Sequence, residues 1–286
     1  MTAEGLPAAV PKLDARHLVH EVNRATGAGL EYVGPAAGGE VGAAFVRWPD
    51  DRDGVLTRGH GSLDELRRTA AALDAARAHG LPVPQYQLLA ELPDCVGVVQ
   101  ERLPGSPPAT VDRQLLESMI ALTEQFTGLG AGLPTPSMYL LESGPGFCLH
   151  ESLERYDDRT RRLLDRIHEI GRDDTDGMTG DDLVHLDYHS GNVLTDAGRI
   201  TGIVDWDGIG SGDRHFALVT LRFDAHVRLP GDDLTWFDEL LETTLSPAVL
   251  RRYWAHMALR QVDWSIRHHT PADTTRWLDF AEPRLR

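Results

Sequence analysis

Apolar positions recur with two different periods along this chain, and the change of period divides it. Leu13 to Thr26 reads as a short helix closed by Gly27 and Gly29, after a loose tail to about residue 12. Three strand-like runs follow, Leu30 to Val33, Val41 to Trp48 and Gly54 to Arg58. Ser62 caps a helix to about His79, with Leu66, Ala70 and Leu73 on one face and Gly80 and Pro82 as its stop. A fourth strand is expected after LPVP and a fifth over Val96 to Gln100; then SPPAT reads as a linker. Beyond it the spacing turns helical, at Leu115, Met119, Leu122 and Phe126 within Val111 to Thr127. Further helices are expected over Leu153 to Ile170, Phe216 to Val227, Leu234 to Thr243, Pro247 to His268 and Asp273 to Leu285. Strands first and helices afterwards predict an α+β protein, with a mostly β lobe over 1–104 and a mostly helical lobe over 105–286.

One stretch breaks the helical run. HLDYHSGNVL, His185 to Leu194, is answered by IVDWD, Ile203 to Asp207, with a turn at Asp196-Ala197-Gly198 between two short apolar segments. This predicts a β-hairpin with Asp187 and Asn192 at its entrance and Asp205 at its exit. Antiparallel pairing brings the start of one strand beside the end of the other, so the three polar side chains converge. Oxygen-bearing groups at one end of an apolar hairpin suit a hard cation such as Mg²⁺ together with a phosphate.

Asp187 and Asn192 are five apart, as in the catalytic loop H-R-D-x-x-x-x-N of protein kinases. With Asp205 and Asp207 following, the sequence resembles the aminoglycoside phosphotransferase and choline kinase family, whose brackets read roughly H-G-D-x-H-x-x-N and D-W-D/E. The resemblance implies a bilobal protein-kinase-like fold, Asp187 as catalytic base, and Asn192 and Asp205 as Mg²⁺ ligands. Asp207 is then a possible ligand of a second metal or of the substrate. His185 is expected to bond backbone near Asp205 rather than to catalyse. QERLPG, Gln100 to Gly105, resembles the interlobe hinge E-x-L-P-G, in which the Glu101 carbonyl and the Leu103 N–H would pair with an adenine edge. The turn GPAAGG, ending in Gly38 and Gly39, is small enough for backbone N–H groups to approach a phosphate of ATP or GTP.

Two departures stand out. Relatives place a Lys on the third strand and a partner Glu on the next helix, where this chain has Thr57 and Thr69. Arg58 is the nearest cation, and a shifted Arg58–Glu65 pair is the expected replacement, with Arg47 a second candidate. SGDRHFALVTL resembles the family's G-D-P-x-x-D-L-A segment, but Arg214 replaces Pro and Ala217 the second Asp.

Composition narrows the partners. A formal charge of -16 argues against nonspecific nucleic-acid or anionic-membrane binding, and Lys12 is the only lysine. Neither a signal peptide nor an apolar run of membrane length is visible, so a cytoplasmic location is expected. Two cysteines, Cys95 and Cys148, make no disulfide framework or metal spacing. Acidic positions Asp157-Asp158, Asp173 to Asp182, Asp232-Asp233, Asp224 and Asp263 are expected to receive a cationic, hydroxylated substrate, with resistance to an aminoglycoside or basic cyclic peptide antibiotic as the outcome. A choline- or sugar-type metabolic kinase and a nucleotide-binding pseudokinase without turnover are the alternatives. The pseudokinase is motivated by Thr57 and Thr69.

Overall fold

A computed structural model describes residues 6–36, 41–172, 178–231 and 233–286, and over them the expected elements follow in order, with one helix split and one strand pair added. Helix α1 (Ala15–Thr26) precedes β1 (Glu31–Pro35), β2 (Ala44–Arg47) and β3 (Asp53–Gly59); α2 (Leu63–Ala78) leads to β4 (Tyr86–Glu91) and β5 (Val96–Glu101). Then come α3 (Arg113–Thr123), α4 (His150–Tyr156), α5 (Asp158–Arg172), β6 (Asp182–His185), β7 (Val193–Asp196), β8 (Arg199–Ile203) and β9 (Ile209–Gly212). Four helices close the chain: α6 (Phe216–Arg228), α7 (Thr235–Thr244), α8 (Pro247–His268) and α9 (Pro271–Ala281). Among the described residues no helix is long and apolar enough to cross a membrane.

β1 to β5 form one antiparallel sheet in the order β1-β2-β3-β5-β4. Its two faces are covered by different helices. Leu18, Val19 and Val22 of α1 pack on Ala44, Val46, Leu56 and Val99, whereas Leu66 of α2 packs on Val96 and Val98. Side chains alternate along a strand, so β3 sends Leu56 and Arg58 to the α1 face and Val55 and Thr57 to the α2 face. The cross-strand pairs agree: Arg58 lies opposite Gly97, whose added Cβ would meet Val22 of α1 at 2.5 Å, and Thr57 lies opposite Val98.

The chain divides into two compact units. One comprises Pro11–Pro134 and Gly180–Ala217, and therefore holds the sheet, α3, the β7–β8 hairpin and the β6–β9 pair. The hairpin is fastened to the segments before β4 and after β5: Ile203 N–H donates to Pro82 O (2.7 Å), the Thr201 hydroxyl to Pro104 O (2.7 Å) and Thr195 N–H to Ser106 O (2.8 Å). Gly105 makes this approach possible. Its φ is +96°, and a Cβ there would stand 2.8 Å from Thr195 O.

The second unit comprises Met1–Val10, Thr135–Thr179 and Leu218–Arg286. Its core includes Leu153, Ile167, Tyr253, Met257 and Phe280. The single helix expected over Leu153 to Ile170 is two. Asp157 is fully extended, and its carboxylate accepts from Thr160 N–H (2.8 Å), ending α4 and capping α5. The β6–β9 pair was likewise not expected, because four-residue strands carry too little periodicity to register.

Candidate active site

Asp187 and Asp205 occupy two bends joined by one imidazole. Asp187 N–H donates to His185 Nδ1 (3.1 Å), which leaves the proton on Nε2, 3.0 Å from Val204 O. His185 is 1% exposed and its ring lies against Trp206, centroids 4.5 Å apart. The expected structural role for His185 is therefore its geometry here. Trp206 is pinned by its own N–H to Ile203 O (2.8 Å), and the Tyr188 hydroxyl donates to Met119 O (2.9 Å), so buried aromatics fix both bends from beneath.

Asn192 closes the first bend. Its Nδ2 donates to Asp187 O (3.0 Å), and its carbonyl accepts from Val204 N–H (2.9 Å). With Nδ2 committed, Oδ1 is the end of the amide that can meet a cation. Asp205 has φ +64°, a left-handed conformation that Asp tolerates better than most residues and that sharpens the second bend. Asn192 stands immediately before the pair Val193↔Ile203, and Asp205 two residues after it, so both sit at the same end of the hairpin. The set fits magnesium. One amide oxygen and one or two carboxylates leave coordination positions for phosphate oxygens and water, the usual arrangement for this ion in a nucleotide site. Among the described residues no cluster of three His, Cys, Asp or Glu forms a closed metal cage.

Three neighbours were not singled out in the sequence. His189 Nδ1 accepts from Gly191 N–H (3.0 Å), so its Nε2–H faces Asp187 Oδ2 at 3.6 Å. His189 was legible, since it fills the second His of the family bracket. His60, in the turn after β3, places Nδ1 3.1 Å from Asp207 Oδ2, and this hydrogen bond to a carboxylate raises the imidazole pKa. Tyr86 at the start of β4 has its phenol pKa held well above the usual range, first by burial and then by the Asp207 and Asp205 charges. A contact spanning 147 positions leaves no local signal, so His60 was not findable from sequence.

At the hinge, Glu101 N–H donates to Gln85 O (2.8 Å) and its carboxylate accepts from Arg77 of α2 (2.6 Å). Among the described residues the Leu103 N–H has no hydrogen-bond partner, so it is available to a ligand acceptor. Gly38 and Gly39 lie outside the described residues; Ala36 N–H donates to Ala43 O (2.8 Å).

Two expectations require correction. Arg58 and Glu65 do not pair. The Glu65 carboxylate accepts from the Ser62 N–H (2.7 Å) and hydroxyl (2.8 Å) in a capping box, while Arg58 reaches Asp94 O (3.3 Å) from the α1 face of the sheet. Arg47 shares the face of Thr57 but stands opposite Asp53 at the hinge end of β3, 3.4 Å from that carboxylate. The acidic positions are also largely engaged. Asp263 is fully buried and bidentate with Arg267 (2.8 Å twice), so it is closed to a substrate. Asp182 holds Gly128 N–H and Arg214, and Asp233 accepts from Thr235 N–H. Asp173, Asp174, Asp176 and Asp232 lie outside the described residues.

Residues 33–260 match a family described as phosphotransferase enzymes. A segment is 46% identical over 41 residues to hygromycin-B 4-O-kinase of Escherichia coli, spanning 14% of this chain and 12% of that enzyme. Among solved structures, a thermostable mutant of aminoglycoside phosphotransferase APH(4)-Ia in ternary complex with ADP and hygromycin B aligns at TM-score 0.63 and 16% identity, covering 96% of this chain and 98% of the other. Aminoglycoside 2'-phosphotransferase-IIIa in its GDP complex aligns at TM-score 0.59 and 14% identity, covering 96% and 99%. At these identities the likeness establishes a shared fold.

Proposed function

The chain belongs to the phosphotransferase enzyme family, and from that premise we propose that it moves the γ-phosphate of ATP or GTP to a hydroxyl of a cationic antibiotic, most simply an aminoglycoside. The observation that carries this reading is the His185 bridge, which fixes the Asp187 and Asp205 bends together with Asn192 at one end of the hairpin. Relatives and structural neighbours named for hygromycin B and aminoglycosides support the acceptor class, and their ADP and GDP complexes leave both nucleotides open.

Phosphoryl transfer asks a protein for positioning and charge more than for covalent chemistry. Asp187 orients the acceptor hydroxyl and takes its proton as the bond to phosphorus forms. His189 Nε2–H, facing the same carboxylate, limits its rotation. Asn192 and Asp205 would hold magnesium, which when bound offsets the charge of the phosphate oxygens. Residues 1–104 carry the nucleotide-facing sheet, with the Leu103 N–H and Glu101 carbonyl assigned to the base and Gly38 and Gly39 to the phosphates. Residues 105–286 bring Asp187 and the acceptor surface.

The missing strand lysine needs a substitute at the phosphate end of β3. Arg58 faces the other side of the sheet and Arg47 the other end, whereas His60 lies just beyond Thr57 and beside Asp207. We assign that role to His60. Asp207 then positions this cation as well as being available to substrate.

A sensitive bacterium expressing the chain, grown on a panel of aminoglycosides and basic cyclic peptides, tests the reading. Growth on at least one compound, an added phosphate by mass spectrometry, and loss of both in Asp187→Ala are expected. Asp187→Ala should lower kcat by about 10²–10⁴-fold with nucleotide affinity nearly unchanged. Nucleotide binding without transfer to any hydroxyl compound would instead identify a pseudokinase.

A further inference from the structure

Far along the chain from the catalytic hairpin, a cleft of about 520 Å³ opens on the C-terminal helices. Arg222 and His226 of α6, Arg276 and Phe280 of α9, and Arg284 beyond it line this cleft. In a chain with a formal charge of -16, three guanidinium groups on one cavity call for a reason.

Their carboxylate partners do not balance them. Asp238 serves two cations, accepting from Arg222 Nε (2.7 Å) and Nη2 (3.0 Å) and from Arg284 Nη2 (3.1 Å). Asp279 faces the cleft but pairs with Arg159 at 2.7 Å. Arg276 pairs with Asp273 at 3.1 Å and is largely exposed. The Arg222 side chain is 5% exposed, and among the described residues its Nη1, on the other side of the guanidinium from Asp238, has no partner. One turn on, His226 Nε2 is also buried without a partner. Buried polar groups are nearly always paired, so two orphaned nitrogens on one helical face beside an open cavity, one of them a guanidinium donor, mark a place where an acceptor belongs. Phe280 holds them in place, with Arg284 3.9 Å above its ring and His226 stacked 4.0 Å from its centroid.

We propose that this cleft binds the phosphate group of a small phosphorylated molecule, held by Arg222, Arg276 and Arg284 with His226 Nε2 as a further donor. Guanidinium forks match tetrahedral oxyanions, and donors from three arginines exceed what the two oxygens of a carboxylate can fill. The volume leaves room for a body attached to the phosphate rather than for the ion alone. Electrostatics at His226 agree. Burial, followed by repulsion from Arg222, Arg284 and Arg276, lowers its pKa to about 4.

His226 is also the reporter, because its ring lines the cleft. The full-length protein, labelled in its histidine rings, is titrated by NMR with inorganic phosphate, with ribose 5-phosphate and, at matched ionic strength, with acetate; His226→Gln assigns the signal. Saturable movement of the His226 resonances with both phosphates is expected, ribose 5-phosphate binding at least as tightly and acetate giving no saturation. The His226 pKa should rise when phosphate is bound. Arg276→Ser, at a half-exposed position whose loss leaves the core intact, should weaken phosphate about tenfold or more. An unmoved His226 signal, an equal response to acetate, or unchanged affinity in Arg276→Ser overturns the proposal.

Discussion

His60 Nδ1 lies 3.1 Å from Asp207 Oδ2, joining the turn after β3 to the second acidic bend across 147 positions of sequence. Because that carboxylate is the main cause of the raised imidazole pKa, Asp207→Asn should return His60 toward its ordinary value, which an NMR titration reads directly. A raised folded-state pKa contributes stability that is complete below the unfolded value and is lost as pH rises through the folded one. His60→Ala should raise the nucleotide KM roughly tenfold, and Arg58→Ala should leave it within about twofold. The reverse order in steady-state kinetics would return the phosphate role to Arg58.

Asp205, the proposed magnesium ligand, has φ +64°. Asn accepts that conformation nearly as well as Asp, so Asp205→Asn separates fold from chemistry. Its thermal midpoint should match the parent within about 2 °C, while turnover falls by about 10²-fold or more and magnesium no longer restores it. A midpoint drop as large as that of Asp205→Ala would show that the carboxylate supports the bend itself.

Glu65 completes a capping box with Ser62 and makes no pair with Arg58. Glu65→Ala should cost about 1 kcal/mol or less of unfolding free energy in urea, with nucleotide affinity unchanged. A large loss of affinity from this substitution would reinstate the ion pair.

Three histidines in the helical unit have lowered pKa values, His168 among them through burial. His256, fully buried with Nδ1 2.7 Å from Met138 O, and His226 each titrate at about 4. The unfolded chain binds these protons near pH 6.5, so it holds more protons than the folded chain between about 6.5 and 4. Stability should therefore be level above about 6.5, fall as pH drops through that window, and level again below about 4 as far as these two groups go. Denaturation midpoints across the window, compared between the parent and His256→Asn, check the sign: the parent's slope should be the steeper.

Much of the site was readable before any coordinates because its parts are close in sequence. D-x-x-x-x-N and D-W-D lie on one hairpin, and local turn chemistry at Ala197 and Gly198, both at positive φ, brings them together. Ser62 with Glu65 three residues on was also legible as a capping box. Passing over it is what allowed a pair between Arg58 and Glu65 to be expected. Asp157 misled differently: its neighbours keep a helical period, but its side chain offers Thr160 N–H a better partner than another helical turn does.

The sequence alone determined the order of strands and helices, the hairpin and the identity of the groups at its mouth, since periodicity, turns and spacing act over a few residues. Tertiary structure alone decided which basic side chain stands near the acidic bends and which carboxylates are already engaged. A one-residue step along β3 moves a side chain through the sheet, so Thr57 and Arg58, adjacent in the chain, face different helices. Groups far apart in the chain meet only when the backbone between them has folded, as His60 meets Asp207 across 147 positions and Arg284 meets Asp238 across 46.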